Sequence, residues 1–150
     1  MSVQAAIIKK LQLKDQSKPI LIINPPKEYG EVIKAFEAEV HKELGLDSYP
    51  FVQVFGISNE DIQTYAKKGS EVLEEDGLMW LCYPKKSSKM YNGSNCSRET
   101  VATLLSDEGF EPVRQVAIDD DWSALRFRQV DKIKKMTRKS AVTEKRKTAN

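Results

Sequence analysis

The segment EPVRQVAIDDDWSALRFRQ (111–129) decides how the fold ends, because it holds two β-prone runs separated by only three residues. The runs 111–118 and 122–129 flank three consecutive acids, Asp119 to Asp121. So short a connection predicts an antiparallel hairpin. Aspartate is favoured in turns because its carboxylate bonds to its own backbone. The acid triplet is therefore expected to form the hairpin turn, and binding of a hard cation such as magnesium is the alternative.

Three further apolar runs are predicted to be strands. They are PILIIN (19–24), FVQVFGI (51–57) and LMWLCYP (78–84). Continuous apolar runs of this kind are typical of strands that are buried on both faces, as in a parallel sheet. Between them, hydrophobic side chains recur at helical spacing.

Four helices are predicted, over residues 4–13, 25–45, 58–75 and 97–109. In the second, Val32, Ile33, Phe36, Val40 and Leu44 share one face and Gly45 ends the helix. Ser58 and Ser97 are the expected N-caps of the third and fourth helices.

This alternation of strands and helices predicts an α/β fold. We expect a small Rossmann-like three-layer sandwich, with three parallel strands and a C-terminal antiparallel hairpin in the order 1-2-3-5-4. Residues 1–130 are expected to form a single domain. Residues 131–150 hold eight basic and two acidic residues, a net charge of +6, whereas residues 1–130 hold 16 basic and 20 acidic residues, a net of −4. The tail is therefore expected to be disordered.

Two segments carry a resemblance to a known family. DGLMWLCYPKKSS (76–88) and GFEPVRQVAIDDDWSALRFR (109–128) resemble a bacterial family of small proteins known as a domain of unknown function. That resemblance implies a shared fold over about residues 5–130 and no particular activity. Residues 97–129 are also similar in architecture to the C-terminal half of methyltransferases that use S-adenosylmethionine, which is an analogy of fold.

The segment after the first strand bears on nucleotide binding. A Rossmann site needs glycines there, so that the backbone can approach the ligand and offer N–H donors. This chain has Asn24, Pro25 and Pro26 instead, and proline supplies no N–H. Asn-Pro-Pro resembles the motif of methyltransferases that act on amino groups of bases, but Lys27 stands where that motif has an aromatic residue. A rigid exit from the strand is the alternative.

Several polar or aromatic side chains follow the predicted strands and would gather at the carboxyl edge of the sheet, where open α/β sheets bind ligands. The candidate ligand-binding residues are Asn24, Tyr29, Tyr83, Lys85, Lys86, Asp119, Asp120 and Trp122. The lysines and hydroxyls after the third strand suit an anionic group. A solvated loop is the alternative for that segment.

Residues with catalytic or metal-binding potential are few. His41 is expected in mid-helix without a partner, and neither Cys82 nor Cys96 has metal-ligand spacing, so we predict no catalytic residue, no metal and no cofactor. The chain shows no secretory signal and no membrane-length apolar run, so a cytoplasmic protein without a membrane partner is expected.

Three functions remain open. The first is a non-enzymatic α/β module that binds a small polar ligand or a protein partner at the carboxyl edge. The second is a reduced methyltransferase-like enzyme that uses S-adenosylmethionine. The third is a nucleic-acid accessory protein that binds through the basic tail by counterion release.

Overall fold

Six strands form one mixed sheet in the computed structural model, which describes residues 2–133. The strands are β1 (Ile20–Ile23), β2 (Val40–His41), β3 (Tyr49–Phe55), β4 (Leu73–Pro84), β5 (Phe110–Ala117) and β6 (Trp122–Gln129). Their order is β2-β1-β3-β4-β6-β5. The first four strands in that order run parallel to one another, and β6 is antiparallel to both β4 and β5.

Within the part of the chain that the structure describes, four α-helices accompany the sheet. They are α1 (Val3–Lys10), α2 (Gly30–Ala35), α3 (Asn59–Glu71) and α4 (Arg98–Val101), and 3-10 turns span Lys27–Tyr29 and Val130–Lys132. The Ser58 side chain accepts a hydrogen bond from the Asp61 backbone, and Ser97 forms a capping box with Thr100. Both predicted N-caps are therefore confirmed.

The Rossmann-like α/β class and the C-terminal hairpin are confirmed, but the predicted strand order 1-2-3-5-4 is wrong. The five expected strands do lie side by side in the predicted order. However, the prediction missed β2, which pairs outside β1 through Ile20 and Val40, so the order is 2-1-3-4-6-5.

The missed strand lies in the second half of the predicted helix 25–45. In the structure, the helix in this region, α2, ends at Ala35. The Gln16 side-chain oxygen accepts hydrogen bonds from the backbone N–H groups of Glu37 (2.7 Å) and Ala38 (3.2 Å). The Ile20 N–H donates to the carbonyl of Glu39 at 2.9 Å. Because these partners come from another part of the chain, they hold the segment extended against its helical spacing.

Other boundaries also differ from the predictions. Helix α3 ends at Glu71, and β4 begins at Leu73 rather than at Leu78. Asp76 and Gly77, between the predicted helix and the predicted strand, therefore lie inside an irregular strand. Asp76 adopts a φ of +54°, and its carboxylate accepts two hydrogen bonds from the Arg128 guanidinium. The fourth helix is much shorter than predicted, and turns follow it up to Gly109.

The sheet separates two apolar cores. The side of α1 and α2 contains Ile22, Phe51 and Trp80, all fully buried, and the Trp80 indole donates to the carbonyl of Leu11 at 3.0 Å. The side of α3 and α4 contains Leu81 and Phe127, also fully buried. Side chains alternate along β4 between the two cores, as a central strand with both faces covered requires.

Within residues 2–133, no helix has both the length and the apolar character that a bilayer span needs.

Candidate binding site at the carboxyl edge of the sheet

The ends of β1, β3 and β4 and the start of β6 meet at the carboxyl edge of the sheet. The Asn24 amide nitrogen donates to the carbonyl of Phe55 at 3.1 Å, which joins the ends of β1 and β3. The Lys85 backbone N–H donates to the carbonyl of Asp121 at 2.8 Å, which joins the end of β4 to the hairpin turn. The loops that the sequence places at one edge therefore lie there together.

The acid triplet forms the turn of the hairpin. The Asp119 carboxylate accepts hydrogen bonds at 2.8 Å from the backbone N–H groups of Asp121 and Trp122. The Asp121 carboxylate accepts a hydrogen bond at 2.7 Å from the hydroxyl of Ser88, which is buried. Asp120 is exposed at the tip. Two of the three carboxylates thus stabilise the turn and its contact with the loop after β4.

An aromatic cluster fills the carboxyl edge on the side of α1 and α2. It consists of Tyr29, Phe55, Tyr91 and Trp122. The centroids of neighbouring rings lie 4.7 to 5.2 Å apart. Tyr29 and Trp122 are only 3% and 2% exposed. The Tyr29 hydroxyl donates to the Gln53 side-chain oxygen at 3.1 Å inside the core. These two candidate residues therefore pack inside the aromatic cluster.

The Glu28 carboxylate covers the aromatic cluster. It accepts hydrogen bonds from the Trp122 indole at 3.1 Å and from the Tyr91 hydroxyl. Burial raises the pKa of Glu28, but these two hydrogen bonds and one from its own backbone together leave the pKa below its ordinary value. Sequence reasoning missed Glu28, because nothing local links it to residues more than 60 positions away.

A separate cleft of about 230 Å³ opens on the opposite side of the sheet, between the end of β4, the start of α4 and the hairpin. We call it the basic cleft. Its lining residues are Tyr83, Pro84, Lys85, Lys86, Ser97, Arg98, Glu99, Gln115 and Ser123. At about 30 Å³ per water molecule, it has room for roughly eight waters, and so for a small ligand.

The interior of the basic cleft is polar. Tyr83 and Ser123 are directly opposite each other on β4 and β6, and they are only 3% and 6% exposed. The Gln115 amide donates to the Tyr83 hydroxyl at 3.2 Å. A ligand would therefore meet a buried hydroxyl pair that is already oriented by a neighbouring amide.

Positive charge dominates the wall of the basic cleft. Lys86 and Arg98 are exposed and Lys85 is half-buried. Within residues 2–133, none of the three takes part in an ion pair shorter than 4.0 Å, although Glu99 lines the same cleft. Charges without a close partner attract an oppositely charged ligand more strongly than neutralised ones do.

The pKa of the Tyr83 hydroxyl is affected by both a positive and a negative side chain. Burial raises the pKa of Tyr83, the guanidinium of Arg98 lowers it and the carboxylate of Glu99 raises it, and the net result is a pKa above the ordinary value. The hydroxyl therefore stays protonated at neutral pH and is a hydrogen-bond donor.

The eight candidate residues separate into groups at the edge. Tyr83, Lys85 and Lys86 line the basic cleft, while Asn24 lies between β1 and β3, and the remaining four form the hairpin turn or the aromatic cluster. Sequence reasoning missed Ser97, Arg98, Glu99, Gln115 and Ser123. The Ser97 cap located the start of α4, but only the packed hairpin shows that this start faces Tyr83.

Neither the histidine nor either of the cysteines lines the basic cleft. His41 is in β2 rather than in mid-helix, and its ring contacts the Tyr49 hydroxyl at 2.7 Å and the Glu39 carboxylate at 2.5 Å. Cys82 is fully buried, and burial raises the pKa of its thiol. Within residues 2–133, no three His, Cys, Asp or Glu side chains come together as metal ligands. Residues 134–150 of the basic tail lie outside the described residues.

Comparisons with known proteins give a class of fold. No protein-family model matches the sequence, so the resemblance to a bacterial family of unknown function is not confirmed, and no curated protein matches it. Solved structures of methyltransferases that depend on S-adenosylmethionine do match. The chain therefore has a Rossmann-like α/β fold, which these methyltransferase structures share.

Among those structures is the N-methyltransferase NodS from Bradyrhizobium japonicum WM9, with a TM-score of 0.55 and 14% identity over 84% of this chain and 93% of that chain. Its complex with S-adenosyl-L-homocysteine matches with the same score, over 85% of each chain. Magnesium protoporphyrin IX methyltransferase from Synechocystis PCC 6803, with bound S-adenosylmethionine, has a TM-score of 0.53 and 11% identity over 85% of this chain and 76% of that chain. At these identities the likeness shows the fold alone.

Two of these neighbours contain S-adenosyl-L-homocysteine or S-adenosylmethionine, and the residues of this chain do not fit such a ligand at the position where these sheets bind one. In such sheets the ligand crevice lies where the strand order reverses, which here is between β1 and β3. The bond from Asn24 to Phe55 spans that position, and the aromatic cluster packs beside it. Pro25 and Pro26 follow β1 and offer no backbone N–H donors.

Proposed function

We propose that this chain is a binding module of the methyltransferase fold, which takes a small anionic molecule in the basic cleft. The observation that carries the proposal is the convergence of Lys85, Lys86 and Arg98, without close ion-pair partners in residues 2–133, on a buried polar interior. A phosphate or carboxylate group would accept hydrogen bonds from these cations and from the Tyr83 hydroxyl.

The size of the basic cleft narrows the class of ligand. Its volume of about 230 Å³ lies below the range of about 300 to 1,000 Å³ that is typical of sites for drug-sized ligands. A whole nucleotide cofactor would exceed it. The ligand is therefore a small metabolite, or a short charged group on a larger partner.

Calorimetry with inorganic phosphate, acetate and succinate tests this function. We expect saturable binding of at least one of them, and we expect it to weaken as the salt concentration rises, because partly exposed charges are screened. Arg98→Gln should weaken binding about tenfold, since it removes a charge-assisted hydrogen bond. Arg114→Gln is the matched control, because Arg114 is an exposed arginine on β5 that does not line the cleft.

Two results would contradict the proposal. One is an absence of binding for all three anions at low salt. The other is equal weakening by the Arg98 and Arg114 substitutions, which would indicate a diffuse effect of surface charge.

Methyl transfer is the second candidate, and the fold neighbours favour it over an unspecified binding role. It requires S-adenosylmethionine to enter between β1 and β3, where Asn24 and the aromatic cluster lie. Calorimetry with S-adenosylmethionine and S-adenosyl-L-homocysteine separates the two candidates. We expect no binding of either, and saturable binding with one site per chain would make methyl transfer the leading function.

A further inference from the structure

The basic cleft carries one acid among its cations. Glu99 follows Arg98 directly, and both side chains are exposed and line the cleft. None of the ion pairs shorter than 4.0 Å within residues 2–133 includes Glu99. A site built for a simple anion gains nothing from this carboxylate, because like charges repel.

Glu99 and Arg98 act on the same point of the cleft. Both line the cleft together with Tyr83, and their charges shift the pKa of the Tyr83 hydroxyl in opposite directions. Gln115, which donates to the same hydroxyl, completes the polar surroundings. A ligand seated over Tyr83 would therefore have a guanidinium and a carboxylate nearby at once.

From this arrangement we propose that the basic cleft selects a small zwitterion of the α-amino-acid type over a simple anion. The ligand carboxylate binds Arg98 and the neighbouring lysines, and its ammonium group binds Glu99. This inference rests on the proposed anion-binding function and adds the requirement for a positive group. The volume of about 230 Å³ suits one free amino acid rather than a peptide.

The position of Glu99 has a second, structural explanation. It lies in the first turn of α4, where an acid is favoured by the helix dipole. That role predicts an effect of Glu99 on stability and none on ligand choice. Glu60 occupies the same place in α3, is also exposed and does not line the cleft, so Glu60→Gln is a matched control for Glu99→Gln.

The test compares pairs of ligands that differ in one group. L-alanine, L-serine and L-glutamine are each titrated by calorimetry against the carboxylic acid that lacks the α-amino group. In the unchanged protein, we expect the best amino acid to bind about tenfold tighter than its partner acid. In Glu99→Gln this preference should disappear through loss of affinity for the amino acid alone, and Glu60→Gln should retain it.

The outcomes separate this inference from the function on which it rests. If amino acids and their partner acids bind equally well, or if Glu99→Gln keeps the preference, the zwitterion inference is wrong and anion binding stands. If none of the amino acids, the partner acids or inorganic phosphate binds the unchanged protein, both proposals fail. Thermal unfolding of each variant confirms that the chain is folded under the conditions of the titration.

Discussion

At the scale of single residues, the carboxyl edge shows how one carboxylate can serve two distant partners. Glu28 follows β1 by a few positions, yet it accepts hydrogen bonds from Tyr91 and from Trp122. An indole N–H that is buried with its ring needs such an acceptor, because an unpaired buried donor is costly. Glu28 therefore stabilises the contact between the loop after β4 and the hairpin.

The lowered pKa of Glu28 predicts a pH-dependent contribution to stability. A carboxyl group whose folded pKa is depressed stabilises the fold above its unfolded pKa, for which 4.5 is the ordinary value, and loses that effect as the pH falls through the folded pKa. Glu28→Gln retains an acceptor oxygen but does not titrate. Urea unfolding between pH 3 and pH 7 should show the parent more stable at neutral pH and the difference shrinking at acid pH. A difference that stays constant across this range would contradict the assignment.

At the scale of elements, the segment after α2 shows a tertiary contact overriding a local pattern. Phe36 and Ala38 are buried in the core on the side of α1, although the chain leaves the helix at Ala35. The spacing of apolar residues fits a helix, but the extended chain also buries Phe36 and Ala38, whereas Leu44 of the predicted apolar face is exposed. The hydrogen bonds to Gln16 and the pairing with β1 stabilise the extended conformation over the helix, and both partners lie outside the segment.

Removing the Gln16 contact should loosen β2 without unfolding the sheet. Gln16→Ala deletes the acceptor of two backbone hydrogen bonds, at an expected cost of roughly 0.5–1.5 kcal/mol in the free energy of unfolding. Hydrogen exchange should become faster at the amides of residues 37–41. Gln63→Ala is the control, because Gln63 lies in α3 and its side chain makes no hydrogen bond within the described residues. Unchanged exchange in the Gln16 variant would contradict this account.

At the scale of the whole molecule, one sheet joins two cores that share no side chains. Met79 and Leu81 lie in the core beside α3, and Trp80 and Cys82, which alternate with them on β4, lie in the core beside α1. Both tryptophans of the chain, Trp80 and Trp122, belong to the core beside α1. Their fluorescence therefore reports on one core, while circular dichroism reports on the backbone of both.

This separation makes the cooperativity of folding measurable. Leu81→Ala creates a cavity in the core beside α3, and substitutions of this type cost about 2–5 kcal/mol. Because the strands are common to both cores, we expect tryptophan fluorescence and circular dichroism to shift together to lower urea concentration. Loss of the circular dichroism signal before the fluorescence change would mean that the two cores unfold independently.

What the sequence alone determined is the part of the fold that rests on local patterns. The apolar runs predict the β1, β3 and β4 strands, and three residues between two β-prone runs predict the hairpin. The Ser58 and Ser97 caps predict where α3 and α4 begin. These signals are strong because each lies within a few positions of the chain.

Only the tertiary structure decided that β2 forms, that Tyr29 and Trp122 are buried, and which residues line the basic cleft. Each depends on partners distant in sequence, as Gln16 is for β2 and Glu28 is for Trp122. Ser123 lies opposite Tyr83 because β6 of the hairpin pairs antiparallel with β4, and Arg98 of α4 lines the same cleft. No periodic pattern in the sequence predicts that these distant residues come together, because the packing of the whole chain determines it.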